Sequence, residues 1–191
     1  LRRDAADNKE RIIAAAAAAV RREGAAVPMA TVAADAGVGV GTVYRHFPSR
    51  EALLGALTHW SFQRVLDAAR EAAETGRPGI EALRDFLYRT IQYGPDLVLP
   101  LHGGPVPLDR STTAVQTEVH RRLGALLTKG QRDGTIRHDV RTADVVVFGA
   151  LMAQRLPHVS DWEGTARRLV DIYIAGMAPT PQPLRSSNQG S

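Results

Sequence analysis

A chain of 191 residues with 44% apolar side chains is long enough to bury the core of one medium domain, or of a small domain joined to a larger one. It has no cysteine, which excludes disulfides, thiolate metal sites and cysteine nucleophiles. No apolar run approaches the roughly 20 residues of a membrane span, and no basic stretch leads into an apolar one as in a secretion signal, so the expected location is the cytoplasm. The net charge of +4 is unevenly spread: residues 1–50 carry eight Lys and Arg against five Asp and Glu, whereas residues 51–178 carry fifteen of each. A basic surplus confined to the first quarter suits a surface that meets phosphate.

Helical periodicity dominates the chain and no β-alternation stands out, so the expected class is all-α. The first predicted helix, 8–23, follows Asp7 as N-cap and stops at Gly24, with Ile12, Ala16, Ala19 and Val20 on one face. Two short helices are predicted at 29–36 and 40–46, separated by Gly37-Val38-Gly39. Pro48-Ser49 resets the chain, and Ser49 is placed to cap a long helix with Leu54, Leu57, Ser61, Val65, Ala68 and Ala72 facing inward. That helix ends at Gly76-Arg77-Pro78-Gly79, and another over 80–93 carries Leu83, Phe86, Leu87 and Ile91 along one side. Residues 94–108 are rich in Pro and Gly yet apolar, which predicts a short helix and a packed loop. A helix over 110–132 follows, with Val115, Val119, Leu123, Leu126 and Leu127 in its stripe. Thr142 and Asp161 are the expected N-caps of final helices at 143–156 and 162–177. Residues 179–191 have no apolar face to bury and are expected to be disordered.

The stretch Ala33 to Leu57 carries the functional signal. Gly37 supplies the positive φ of a sharp turn, and Val38 is an apolar plug matched to Val32 and Ala33 before it and to Val43 and Phe47 after it. With those positions buried, the second short helix turns Val40, Gly41, Thr42, Tyr44, Arg45 and His46 outward. This is a small, polar and basic surface of a size that fits a DNA major groove. Gly41, near the helix start, lets backbone N–H groups come close to a phosphate.

Val32-Ala33, Ala36-Gly37-Val38, Gly41-Thr42-Val43-Tyr44, His46-Phe47, Arg50 and Leu53 stand at the spacing of the N-terminal signature of the tetracycline-repressor (TetR/AcrR) family, which the chain resembles over residues 8–57. The resemblance implies a helix-turn-helix DNA-binding domain at 1–48 and a helical ligand-binding and dimerisation bundle at 49–178, ahead of the tail at 179–191. It further implies that Thr42, Tyr44, His46 and Arg50 touch phosphates, that Arg45 and Val40 face base edges, and that Arg2 and Arg3 form a flexible arm for the minor groove. The chain departs from the family pattern at Pro28-Met29, where a capping Ser or Thr is common, at Val20, where Phe is usual, and at Ala30, which is too short to read a base.

By the same resemblance the last two helices pair with those of a second copy. Their apolar stripes offer Val146, Gly149, Met152 and Ala153, then Ala166, Leu169, Val170 and Tyr173, and the same stripes would equally serve a monomer core. Candidate pocket residues are Phe62, Phe86, Tyr93, His102, His120, Phe148 and Trp162, with 94–108 as wall or lid. The six histidines form no HExxH pair, and neither a carboxylate cluster with metal spacing nor a phosphate-cradling glycine loop is evident. No enzyme, metal or cofactor is therefore expected. The expected partners are a palindromic double-stranded DNA operator, a small-molecule effector and a second copy of the chain. The expected function is a transcriptional repressor that leaves its operator when the effector binds.

Overall fold

The computed structural model describes residues 2–94, 97–98, 108–156 and 158–179, with side chains from residue 7 onward. Within those residues every regular element is a helix: α1 (Arg2–Glu23), α2 (Met29–Ala36), α3 (Val40–His46), α4 (Arg50–Glu74), α5 (Gly79–Tyr93), α6 (Arg110–Arg132), α7 (Thr142–Met152) and α8 (Trp162–Met177). The predicted class is met.

Helix boundaries follow local chemistry. Ser49 caps α4 by accepting from the Ala52 amide at 3.2 Å, and Asp161 caps α8 by accepting from Gly164 at 3.0 Å. Asp109 caps α6 through the Thr112 amide at 2.7 Å. Three expectations are corrected. Helix α1 begins at Arg2, so Asp7 lies inside it and Arg2 and Arg3 stand in its first turn rather than in a loose arm. Residues 2–7 hold no Gly, Pro or β-branched residue that would stop the helix, and Asp4 favours a helix start. Helix α7 has Arg141 as its N-cap instead of Thr142, with the Arg141 amide donating to the Asp144 carboxylate at 2.8 Å. It also ends at Met152, short of residue 156, with Ala153 as its C-cap. From the Pro- and Gly-rich stretch, Leu97 and Val98 are described without regular structure, and the rest of that segment and the predicted tail beyond 179 lie outside the described residues.

Apolar side chains gather in two cores. The smaller joins Ile12, Ala16 and Ala19 of α1, Val32 and Ala33 of α2, Val43 of α3 and Phe47 with Leu53, Leu54 and Leu57 of α4. The larger takes Val65 to Ala72 of α4 and packs them against the buried faces of α5, α6, α7 and α8. The packed core of the N-terminal head thus runs past residues 48 and 49 to Leu57, and one helix serves both cores.

The start of α5 lies directly on the end of α6. A Cβ added to Gly79 would sit 2.2 Å from the Gly130 backbone nitrogen, and one added to Gly130 would sit 2.3 Å from Ile136 Cδ1. The crossing is tied by Asp133, whose carboxylate accepts from the Gly79 amide at 2.8 Å. The Thr135 hydroxyl and that amide hold the Asp133 carboxyl below the usual carboxylate range. Because the near atoms at Gly79 belong to backbone, no rotamer change relieves the contact. Gly79→Ala is therefore expected to destabilise the protein by about 3 kcal/mol or more, the upper end for overpacking, seen as a lower midpoint of urea unfolding.

Candidate functional site

The turn between α2 and α3 is built by residues that α1 and α4 support. Gly37 adopts φ 63° and ψ 37°, the left-handed conformation that ends α2, and the Val38 amide donates back to the Ala33 carbonyl at 3.0 Å. Arg11 of α1 donates to the Ala36 carbonyl at 2.6 Å, so a side chain from another helix satisfies the open end of α2. A Cβ at Gly37 would lie 3.1 Å from that guanidinium nitrogen, giving glycine a second reason to be there. Arg22 reaches Asp35 at 2.9 Å across the same pair of helices. Val32 and Val43 are fully buried, Phe47 nearly so, and Val38 packs half-buried against them. The apolar plug is where the sequence places it. Arg11 carried no such signal, because its role depends on how α1 crosses α2. Helix α2 starts at Pro28 without a side-chain cap, as the departure at Pro28-Met29 implies.

This corner sets the outward face of α3. Tyr44 is 49% exposed and Val40 41%, both large apolar surfaces left in water. Gly41 and Arg45 are exposed as well, while Thr42 and His46 are half-buried. A Cβ at Gly41 would meet nothing within 4 Å, so packing inside the chain does not require glycine there. The Arg45 guanidinium lies along its own helix, donating to the Gly41 carbonyl at 3.2 Å and to Thr42 Oγ1 at 2.9 Å. Arg50 is exposed at the first turn of α4. The outward face of α3 thus carries Arg45 and His46 and no acidic side chain. Arg2 and Arg3 lie at the far start of α1, and their side chains are outside the described set.

A cavity of about 350 Å³ lies between α4, α5, α6 and α7. Of the candidate pocket residues it takes Phe62, Phe86 and His120. The others go elsewhere. Tyr93 lies under the Arg64 guanidinium at 4.1 Å, Phe148 stacks on Tyr173 at 3.9 Å and 6°, and Trp162 is buried at the start of α8. His102 lies outside the described residues. Burial, with the Asp144 charge adding to it, pushes the Tyr173 phenol up to about 12, and among the described residues its hydroxyl has no hydrogen-bond partner. Sequence reasoning missed Thr90 and Gln116, polar residues on helix faces that only the bundle brings together.

Of the stripes expected to meet a second copy, Gly149, Ala153, Ala166 and Val170 are buried within the chain, while Val146, Met152, Leu169 and Tyr173 are half-buried. Gly149 lies against Leu87, Ala166 and Val170 are fully buried, and Ala153 is nearly so. The exposed apolar residues of these helices are Val147 (59%), Leu151 (46%) and Ile172 (61%). Among the described residues no group of acidic or imidazole side chains could hold a metal ion, and no helix is long and apolar enough to cross a membrane.

Comparison with known proteins accords with this geometry. Residues 12–57 match the family model described as bacterial regulatory proteins, tetR family, and residues 77–179 match the C-terminal domain of SbtR-like transcriptional regulators. The chain is similar to a TetR transcription regulatory protein from Mycobacterium vanbaalenii, at 32% identity over 94% of this chain and 99% of that one, with a TM-score of 0.69. It is also similar to the TetR transcriptional regulator SCO0520 from Streptomyces coelicolor, at 30% identity over 90% and 98%, with a TM-score of 0.64. The TetR family protein CprB from S. coelicolor shares the fold at 23% identity over 95% and 94%, with a TM-score of 0.75. No curated protein matches the chain.

Gly37→Ala tests the corner. An alanine forced into the left-handed region against the Arg11 guanidinium is expected to cost about 1–2 kcal/mol of stability. The readout is chemical denaturation, and amide exchange should speed up in α2 and α3 before it does in α5 and α6.

Proposed function

The chain belongs to the TetR family of bacterial DNA-binding transcriptional regulators, and from that premise we propose that it is a repressor whose homodimer leaves a palindromic operator when a small molecule enters the C-terminal bundle. The observation that carries this reading is the outward face of α3, where Val40 and Tyr44 are held in water by a turn capped from α1. Exposed apolar and aromatic surface on the same short helix as Arg45 is costly for an isolated protein and useful against a duplex. Tyr44, Thr42, His46 and Arg50 are assigned to phosphates. Arg45 and Val40 are assigned to base edges, and the absence of any neighbour at Gly41 leaves room for close approach of a strand. In the free protein Arg45 is held by Gly41 and Thr42, and it must leave them to reach a guanine. Because Arg2 and Arg3 sit in helical backbone, a minor-groove role for them would require that first turn to unwind.

Two reading helices must lie about 34–36 Å apart to enter successive major grooves, so a dimer is mechanically required. The surface proposed for it is Val147 and Leu151 of α7 with Ile172 of α8, supported by their being the large apolar residues that these two helices leave exposed. Val147 and Leu151 also line the mouth of the cavity, which places an effector close to the partner copy.

Fluorescence anisotropy with a labelled palindromic promoter fragment is the direct test. Nanomolar affinity, two protomers or a multiple per site and strong weakening by salt are expected; salt-insensitive, micromolar binding would remove the operator reading. Tyr44→Ala should weaken binding to every sequence. Arg45→Ala should also relax preference at one position per half-site, by roughly 1–3 kcal/mol of base discrimination. Ile172→Asp is expected to yield monomers in analytical ultracentrifugation that keep their helical content yet lose tight operator binding. A dimer that persists in that variant would exclude the proposed face.

A further inference from the structure

The cavity between α4, α5, α6 and α7 has a lining that selects among ligand classes. Its walls are chiefly hydrocarbon, with Phe62, Val65, Phe86, Val119, Leu123 and Val146 among the lining residues. Among the described residues that line it, none is Lys, Arg, Asp or Glu. Polar atoms come from Thr90, Gln116 and His120. Thr90 is buried and gives its hydroxyl proton to the Phe86 carbonyl at 2.9 Å, so the oxygen it leaves is an acceptor. Gln116 is half-buried, and His120, one turn further along α6, is exposed at the rim. Gln116 presents both a donor and an acceptor.

We infer that the ligand of this cavity is an uncharged, mainly hydrocarbon molecule with one hydrogen-bonding end, set toward Thr90 and Gln116. The inference rests on the reading of this bundle as the effector domain and adds the chemistry of the effector. A carboxylate or ammonium brought among these walls would lose its hydration without gaining a buried counter-charge, which apolar contact does not offset. A hydroxyl, ester or amide loses far less and recovers it from Thr90 and Gln116. At about 350 Å³ the space sits at the small end of ligand pockets, which disfavours large, flat polycyclic ligands.

Three probes with one hydrocarbon chain isolate the charge: decan-1-ol, decanoate and decylammonium, titrated into the full chain at pH 8 and followed by calorimetry. Decan-1-ol is expected to bind saturably and at least about tenfold tighter than either ion. Thr90→Val, a near-isosteric change, should weaken the alcohol several-fold and leave decane unaffected. Ala150→Phe should abolish binding by filling the space; if that variant does not fold, competition between decan-1-ol and decane for one site replaces it. Equal or tighter binding of decanoate or decylammonium overturns the inference, as does binding of none of the three. Operator affinity measured on the same samples separates this from the broader reading. If decan-1-ol binds as described and operator affinity does not move, the ligand class stands and effector-driven release fails. If the operator is never bound, the regulator reading fails alone.

Discussion

Everything in this molecule depends on α4 belonging to two cores at once. At 1.5 Å per residue its 25 residues form a rod about 37 Å long. Leu53 and Leu57 at one end are buried in the head, and Ala68, Ala69 and Ala72 at the other are buried in the bundle. Fully burying a leucine is worth roughly 1.5–3 kcal/mol, whereas an exposed, solvent-screened ion pair such as that of Arg22 with Asp35 adds little. The head is therefore fixed to α4 by apolar packing and cannot slide along it without exposing that surface. A displacement of the rod is a displacement of α2 and α3.

Polar contacts locate the point about which such a displacement is resisted. Near the middle of α4, Ser61 accepts from the Val98 amide at 2.8 Å while donating to its own helix, and His59 meets Thr112 at 3.1 Å at the capped start of α6. Phe62 and Val65, the next inward positions, line the cavity. The cavity thus abuts α4 just beyond its polar tethers, on the bundle side. In the proposed function, a molecule in it would act on the rod where apolar contact, which is non-directional, is free to adjust, while directional hydrogen bonds hold the segment beside it.

Most of the fold was legible in the sequence because its elements are bounded by residues with strong local preferences. Gly37 ends α2 whatever surrounds it, Ser49 and Asp161 cap wherever the following amides are open, and the stripe from Leu54 to Ala72 has only one face to bury. The outward set on α3 followed from the same logic: with Val43 and Phe47 inside, Tyr44 and Arg45 have nowhere else to go. What was not legible depends on tertiary crossings. Nothing local says that Arg11 caps α2, that Gly79 and Gly130 touch, or that Arg45 rests on Thr42. Three of the seven pocket candidates reached the cavity; the aromatic residues that missed it filled core space or paired with one another, which is what large apolar side chains do when any packing partner is near.

Helix α7 shows why the remaining face resisted prediction. Its sequence from Val145 to Met152 is apolar on every side, so periodicity cannot choose which side meets the bundle. Size makes the choice. Leu87 projects from α5 to within 3.2 Å of where a Gly149 side chain would begin, so the small residue must face in and the larger Val147 and Leu151 are left outside. Ile172 on α8 is left outside in the same way. A helix that is apolar all round is ordinarily covered on more than one face, and among the described residues the chain's own helices cover one. The glycine that admits Leu87 is thus also what leaves Val147 and Leu151 exposed among the described residues, on the face assigned to the proposed dimer.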